Sequence, residues 1–136
     1  NILRSILTAL SEELNYGYME QATSANMLLK WNIDVPSDKS IRRYDGALYD
    51  SKREKVFVFE TNYFNNGGSK LKAVAGEFQT LNELIHTGKD DVTFIWITDG
   101  QGWHSAKKPM EEAMGVIDNI YNLHMIDKNY LYETIS

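Results

Sequence analysis

Four strand-forming residues in a row, Val56-Phe57-Val58-Phe59, run straight into an acid, Glu60, followed by Thr61 and Asn62. A continuous apolar run of this length reads as a strand buried on both faces, which demands layers packed above and below it. A carboxylate at the end of such a strand must be paired or be there for chemistry. The next segment, "NNGGSK", is turn chemistry leading into a helical pattern. A second run of the same kind, "DVTFIWIT", lies at 91–98. Two strands of this type in 136 residues predict a single α/β domain.

Periodicity orders the rest. Residues 2 to about 28 read mostly helical, with Ile2, Leu3, Ile6, Leu7 and Leu10 at helical spacing, and Ser11, Asn15 and Gly17 dividing the stretch in two. "KWNIDVPSDKS" reads as a connection punctuated by Pro36 and Ser37. "IRRYDGALYD" alternates as a strand, and "SKRE" is a hairpin turn into the central run. From Ser69, which can act as N-cap, Leu71, Val74, Ala75, Phe78, Leu81 and Leu84 form one apolar stripe that Gly88 can close. "DGQGWHSAKK" is a loop. Pro109 suits the first turn of another helix, with Met110, Ala113, Met114, Ile117, Ile120 and Tyr121 as its stripe. "HMIDKNYLYE" can add a short last strand. The expected fold is a mixed central sheet flanked by helices.

Composition removes several function classes. Cysteine is absent, so disulfides, thiolate catalysis and cysteine-based zinc sites are excluded. The absence fits a reducing cytoplasm. Net charge is -5, which argues against a general nucleic-acid coat but leaves room for a nuclease, whose metal site needs acids and whose phosphate contacts need only local bases. No run reaches membrane-spanning length and no signal peptide is visible. The chain starts at Asn1, and we expect a segment of a longer protein.

The chemistry concentrates near Glu60. Glu60 and Asn62 leave the same strand face, roughly 7 Å apart along it. A hairpin would bring Asp45 alongside, giving Asp, fourteen residues, then Glu-x-Asn. Two carboxylates at a strand end make a hard oxygen site of the kind magnesium takes, with waters and a substrate phosphate completing the shell. On spacing alone, which chance supplies often, a hairpin carboxylate at Asp45 and a solvated strand-end acid at Glu60 are the better account of the pair.

Longer matches carry a resemblance. E-Q-A-T at 20–23, D-K-S-x-R-R-x-D at 38–45, E-T-N at 60–62, G-G-S-K-L at 67–71 and I-T-D-G-x-G-W at 97–103 occur in order. Together, from about 18 to 115, they resemble the DpnII/MboI family of type II restriction endonucleases, whose nuclease signature is written PD-(D/E)xK. The resemblance implies a restriction-endonuclease-like core, the C-terminal catalytic part of a chain about twice this length. It implies magnesium-dependent cleavage of double-stranded DNA at GATC, a homodimer and a bacterial cytoplasm. It makes Asp45 and Glu60 metal ligands and catalytic residues. Asn62 stands where the wider signature has Lys, a place at which the family itself carries Asn. Gly46 departs from the aromatic usual after the Asp, and would loosen the strand there.

Other candidates are each open to two readings. Glu20, late in the opening helical region, is a third metal ligand or a surface helix acid. Glu77 reads as structural. The "GGSK" turn offers a helix N-terminus to a phosphate, with Ser69, Lys70 and Lys72, or is an ordinary glycine turn. Arg42 and Arg43 are candidates for phosphate contact or for pairing an acid. Lys107 and Lys108 read as solvated, and His86, His104 and His124 lack metal spacing. Two further functions stay open: a catalytically inactive nuclease-fold module for DNA binding or dimerisation, and a small α/β domain with a chance acidic cleft.

Overall fold

The central apolar run forms the middle strand of a five-stranded sheet. A computed structural model describes residues 2–39, 41–63, 68–99 and 107–136. The elements are α1 (Ile2–Leu14), β1 (Gly17–Ala22), α2 (Ser24–Trp31), β2 (Tyr44–Asp50), β3 (Lys55–Tyr63), α3 (Gly68–His86), β4 (Asp91–Asp99), α4 (Lys107–Met114), β5 (Ile120–Tyr121), α5 (Leu123–Asp127) and α6 (Tyr130–Ile135). Strand order is β1-β2-β3-β4-β5. The first three strands run antiparallel as a meander, and β3, β4 and β5 run parallel.

Each face of the sheet carries its own core. Val56 and Val58 of β3 and Phe94 and Trp96 of β4 pack under α3 with Leu71, Ala75, Phe78, Leu81 and Ile85; Met27 of α2 and Ala113 of α4 join them. Phe57, Phe59, Ile95 and Ile97 face the other way, against Leu3, Leu7 and Leu10 of α1 and Leu131 and Ile135 of α6. Alternate side chains of β3 and β4 thus fill opposite cores, which is why the runs at 56–59 and 94–97 are apolar without a break. Two successive crossovers in one direction across a parallel sheet place their helices on one face, and α3 and α4 do share a core.

Three expectations need correction. Residues 17–22 are an edge strand, not helix. Helix α1 ends where Asn15 turns left-handed (φ 57°) and the Tyr16 N–H donates to the Ser11 carbonyl at 3.0 Å, a helix-terminating pattern. The chain then pairs with β2, with Tyr18 leaning on one core and Met19 on the other. Second, the last apolar stripe is not one helix. It stops at Met114, before Gly115, and Ile120–Tyr121 become β5 beside Trp96 and Ile97. Third, residues expected to form a final strand are α5 and α6. The hairpin turn at 51–54 and the helix after "GGSK" stand as expected, although α3 begins at Gly68, so Ser69 lies inside its first turn rather than ahead of it. No helix among the described residues is long and apolar enough to cross a membrane.

Candidate active site

Strands β2 and β3 pair regularly from Asp50↔Lys55 to Gly46↔Phe59. Beyond that, side chains take over the bonding. The Asp45 N–H donates to Glu60 Oε1 at 3.0 Å. Reciprocally, the Thr61 N–H and hydroxyl donate to Asp45 Oδ2 at 2.8 and 3.0 Å. Each carboxylate therefore caps the backbone of the opposite strand, and the two acids interlock at the open end of the hairpin. Backbone N–H groups are obligatory donors, so each carboxylate is fixed in part by the main chain of the opposite strand.

Glu60 is buried, with 8% of its surface exposed. Burial pushes its carboxyl up from 4.5 to about 7; the charge of Asp45 adds to that push, while Arg42 opposes it. Asp45 is half-buried. Two acids held together against their own repulsion are a standing invitation to a cation.

Arg42, from the loop between α2 and β2, is that invitation's partial answer. Its Nη1 donates to Glu60 Oε2 at 2.9 Å. Its Nε and Nη2 grip both oxygens of Asp38 at 2.5 and 2.7 Å, and Nη2 also reaches Glu77 Oε1 at 2.7 Å. Lys39 reaches the same Glu77 oxygen at 3.0 Å. Of the two roles open to Arg42, pairing acids is the one the fold uses, with Arg42 buried at 8% exposure. Its guanidinium is held charged well above its usual range, first by Asp38. Glu77, read as structural, belongs to this cluster. Sequence reasoning named both residues but had no signal joining Asp38, Arg42, Glu60 and Glu77, which come from a loop, a strand and a helix.

Asn62 shares its strand face with Glu60, two residues on. Its Oδ1 accepts from the indole N–H of Trp96 at 2.9 Å. Glu20 is elsewhere. It sits on β1 across from Gly46, and residues paired across strands share a face. That face is the α1 side, because a Cβ on Gly46 would meet Leu7 Cδ1 at 2.6 Å. Glu20 duly pairs with Arg4 of α1, whose Nη2 and Nε donate to Oε1 at 2.6 and 2.8 Å. It is a strand acid on the far side of the sheet, so the helix placement is corrected and it does not join Asp45 and Glu60. Gly46 also gains a reason: it makes room for α1 rather than loosening the strand.

Arg43, Lys70 and Lys72 are exposed, and none makes an ion pair among the described residues. Lys70 and Lys72 lie in the first turn and a half of α3, the helix that β3 leads into. The Ser69 side chain, Asn65 to Gly67, and residues 100–106 with His104 lie outside the described residues.

The whole chain is similar to known nucleases. Residues 1–133 match the DpnII restriction endonuclease family. The chain belongs to that family. It is 45% identical over 130 residues to the type II restriction enzyme LlaDCHI of Lactococcus lactis subsp. cremoris, covering 96% of this chain and 43% of the relative. It is 39% identical over 137 residues to the type II restriction enzyme MjaIII of Methanocaldococcus jannaschii, covering 100% and 47%. With the type II restriction enzyme MboI of Moraxella bovis it shares 43% identity over 86 residues, covering 63% and 30%. The chain thus spans about half the length, or less, of the curated relatives it matches. No solved structure matches. The mixed sheet with helices on both faces is consistent with a restriction-endonuclease-like fold.

Among the described residues, no group of three or more acids or histidines is gathered for a metal ion. The carboxylates that interlock at this strand end, among the described residues, are Asp45 and Glu60. The donor set still fits magnesium: both ligands are hard oxygens, and a cation that keeps several waters needs only one or two carboxylates from the protein.

Proposed function

We propose that this chain is the catalytic part of a magnesium-dependent type II restriction endonuclease that hydrolyses phosphodiester bonds in double-stranded DNA at GATC. The observation that carries the reading is the interlocked Asp45–Glu60 pair, with Glu60 buried and Asp45 half-buried, mutually repelling and set at an open strand end. Asp45 and Glu60 hold the metal. Bound there, magnesium lowers the pKa of an attacking water and offsets charge developing on the scissile phosphate. Arg42 keeps Glu60 in place from behind. Asn62 cannot act as a base or carry charge, so its part is to orient the water or a phosphate oxygen through a hydrogen bond.

The DNA backbone is met by Arg43, Ser69, Lys70 and Lys72 around the start of α3, where free backbone N–H groups and the helix dipole favour a phosphate. Such contacts place the duplex without reading it. The target GATC follows from the family resemblance. Its two-fold symmetry calls for a two-fold protein, and a homodimer is the working form. A bacterial cytoplasm is its place of action.

The test is cleavage of a plasmid rich in GATC, with magnesium and with EDTA, beside a plasmid lacking the site. Cutting confined to GATC and to magnesium is expected. Asp45→Ala and Glu60→Ala should lose it by at least about 10³-fold while remaining folded by circular dichroism. Either variant cutting at the wild-type rate sinks the assignment.

A further inference from the structure

We propose that Trp96 is a positioning residue for the reaction: its indole N–H fixes the side-chain amide of Asn62 so that the NH2 group, not the carbonyl, is offered at the Asp45–Glu60 end of the sheet. The inference rests on the nuclease reading of that site. An indole N–H only donates, so the Asn62 atom facing it at 2.9 Å is the carbonyl oxygen. The amide nitrogen therefore points the other way. Nothing among the described residues accepts from it, and no buried side-chain nitrogen or oxygen lacks a partner. The NH2 group is thus open to solvent.

Trp96 is built to hold this orientation. It is fully buried at 0% exposure. Its ring meets Phe78 of α3 edge-on, centroids 5.1 Å apart at 88°. It stands beside Glu60 in the β3–β4 register, one side-chain row before Asn62. A rigid donor in the core thereby dictates which end of a half-buried amide reaches the site. An Asn free to rotate would present its acceptor about as readily as its donor. Held by Trp96, it turns its donor end to the site, and donation is the hydrogen-bonding property it shares with the Lys of the wider signature.

The experiment compares this chain with Trp96→Phe, Asn62→Ala and the double variant, in single-turnover cleavage, in calcium affinity, and in the Trp96 indole N–H resonance. Trp96→Phe keeps the aromatic packing and removes the donor. Each single variant is expected to lower the cleavage rate constant about 10²-fold, and the double variant to be no slower than the slower single one, with calcium affinity unchanged. The indole resonance should move in Asn62→Ala. Trp96→Phe cutting at the wild-type rate, losses that multiply in the double variant, or an indole resonance that ignores Asn62→Ala would each overturn the proposal. Should Trp96→Phe not fold, Asn62→Asp decides: it keeps an acceptor for the indole and replaces the NH2, so cleavage should fall while the indole resonance stays hydrogen-bonded, and wild-type cleavage would overturn the idea. A wild-type chain that cuts no DNA overturns the nuclease reading and this proposal together.

Discussion

At the residue scale, Glu60 is the most informative side chain. Its carboxyl is raised from 4.5 to about 7, chiefly by burial and then by Asp45. Below about pH 4.5 both folded and unfolded chains hold the proton, and the stabilising contribution is whole. As pH rises, the unfolded chain ionises first, and the contribution is lost as pH passes through about 7. The displacement corresponds to roughly 3 kcal/mol. Urea unfolding in EDTA at pH 5 and pH 8 should therefore show Glu60→Gln gaining on the wild type with pH by up to about that amount. Calcium at pH 8 should raise the wild-type midpoint by more than that of Glu60→Gln, because the variant keeps only the Asp45 charge at the site. A stability difference that is flat with pH would contradict the burial argument. The sequence placed Asp45, Glu60 and Asn62 in one site because strand alternation and hairpin pairing are short-range rules. It left Arg42 undecided between phosphate and acid, since choosing needs to know which acids a loop folds onto.

At the scale of elements, Gly46 shows how one missing Cβ sets a helix against a sheet. Leu7 Cδ1 occupies the space a Cβ would take, at 2.6 Å. Gly46→Ala should cost about 1–3 kcal/mol by forcing Leu7 off its rotamer or α1 off the sheet. The loss should be markedly smaller in a Leu7→Ala background, because the two residues share the space. Chemical denaturation of the four-variant cycle measures this, and strict additivity would deny the contact. The same elements explain a misreading. β1 has six residues, two of them exposed polar side chains, and Gln21 is left-handed (φ 49°). So short and irregular an edge strand has too little period to be told from helix, and its identity comes from pairing with β2. Likewise Ile120 and Tyr121 fit a helical stripe until β4 offers them an edge.

For the molecule as a whole, the sheet is a plate with two separately built cores. α1 supplies Leu3, Leu7 and Leu10 to the one that covers Phe57, Phe59, Ile95 and Ile97. Burying each such leucine contributes about 1.5–3 kcal/mol, and a domain has only about 5–15 kcal/mol in total. Deleting residues 1–14 should therefore abolish cooperative thermal unfolding, read by near-ultraviolet circular dichroism. A truncated chain melting cooperatively at the original midpoint would mean that the second core is dispensable.

The division between sequence and tertiary structure follows range. Apolar runs dictated two doubly covered strands, turn residues dictated the hairpin and the strand-to-helix step, and ordered motifs dictated the family; each is a local pattern a chain carries unfolded. Which strand sits at the edge, that Glu20 faces α1 and not the site, that Arg42 gathers three acids, and that Trp96 holds Asn62 were decided only by packing. Those contacts join residues far apart in the chain, and they exist because burying charge and amide groups is costly unless partners meet them there.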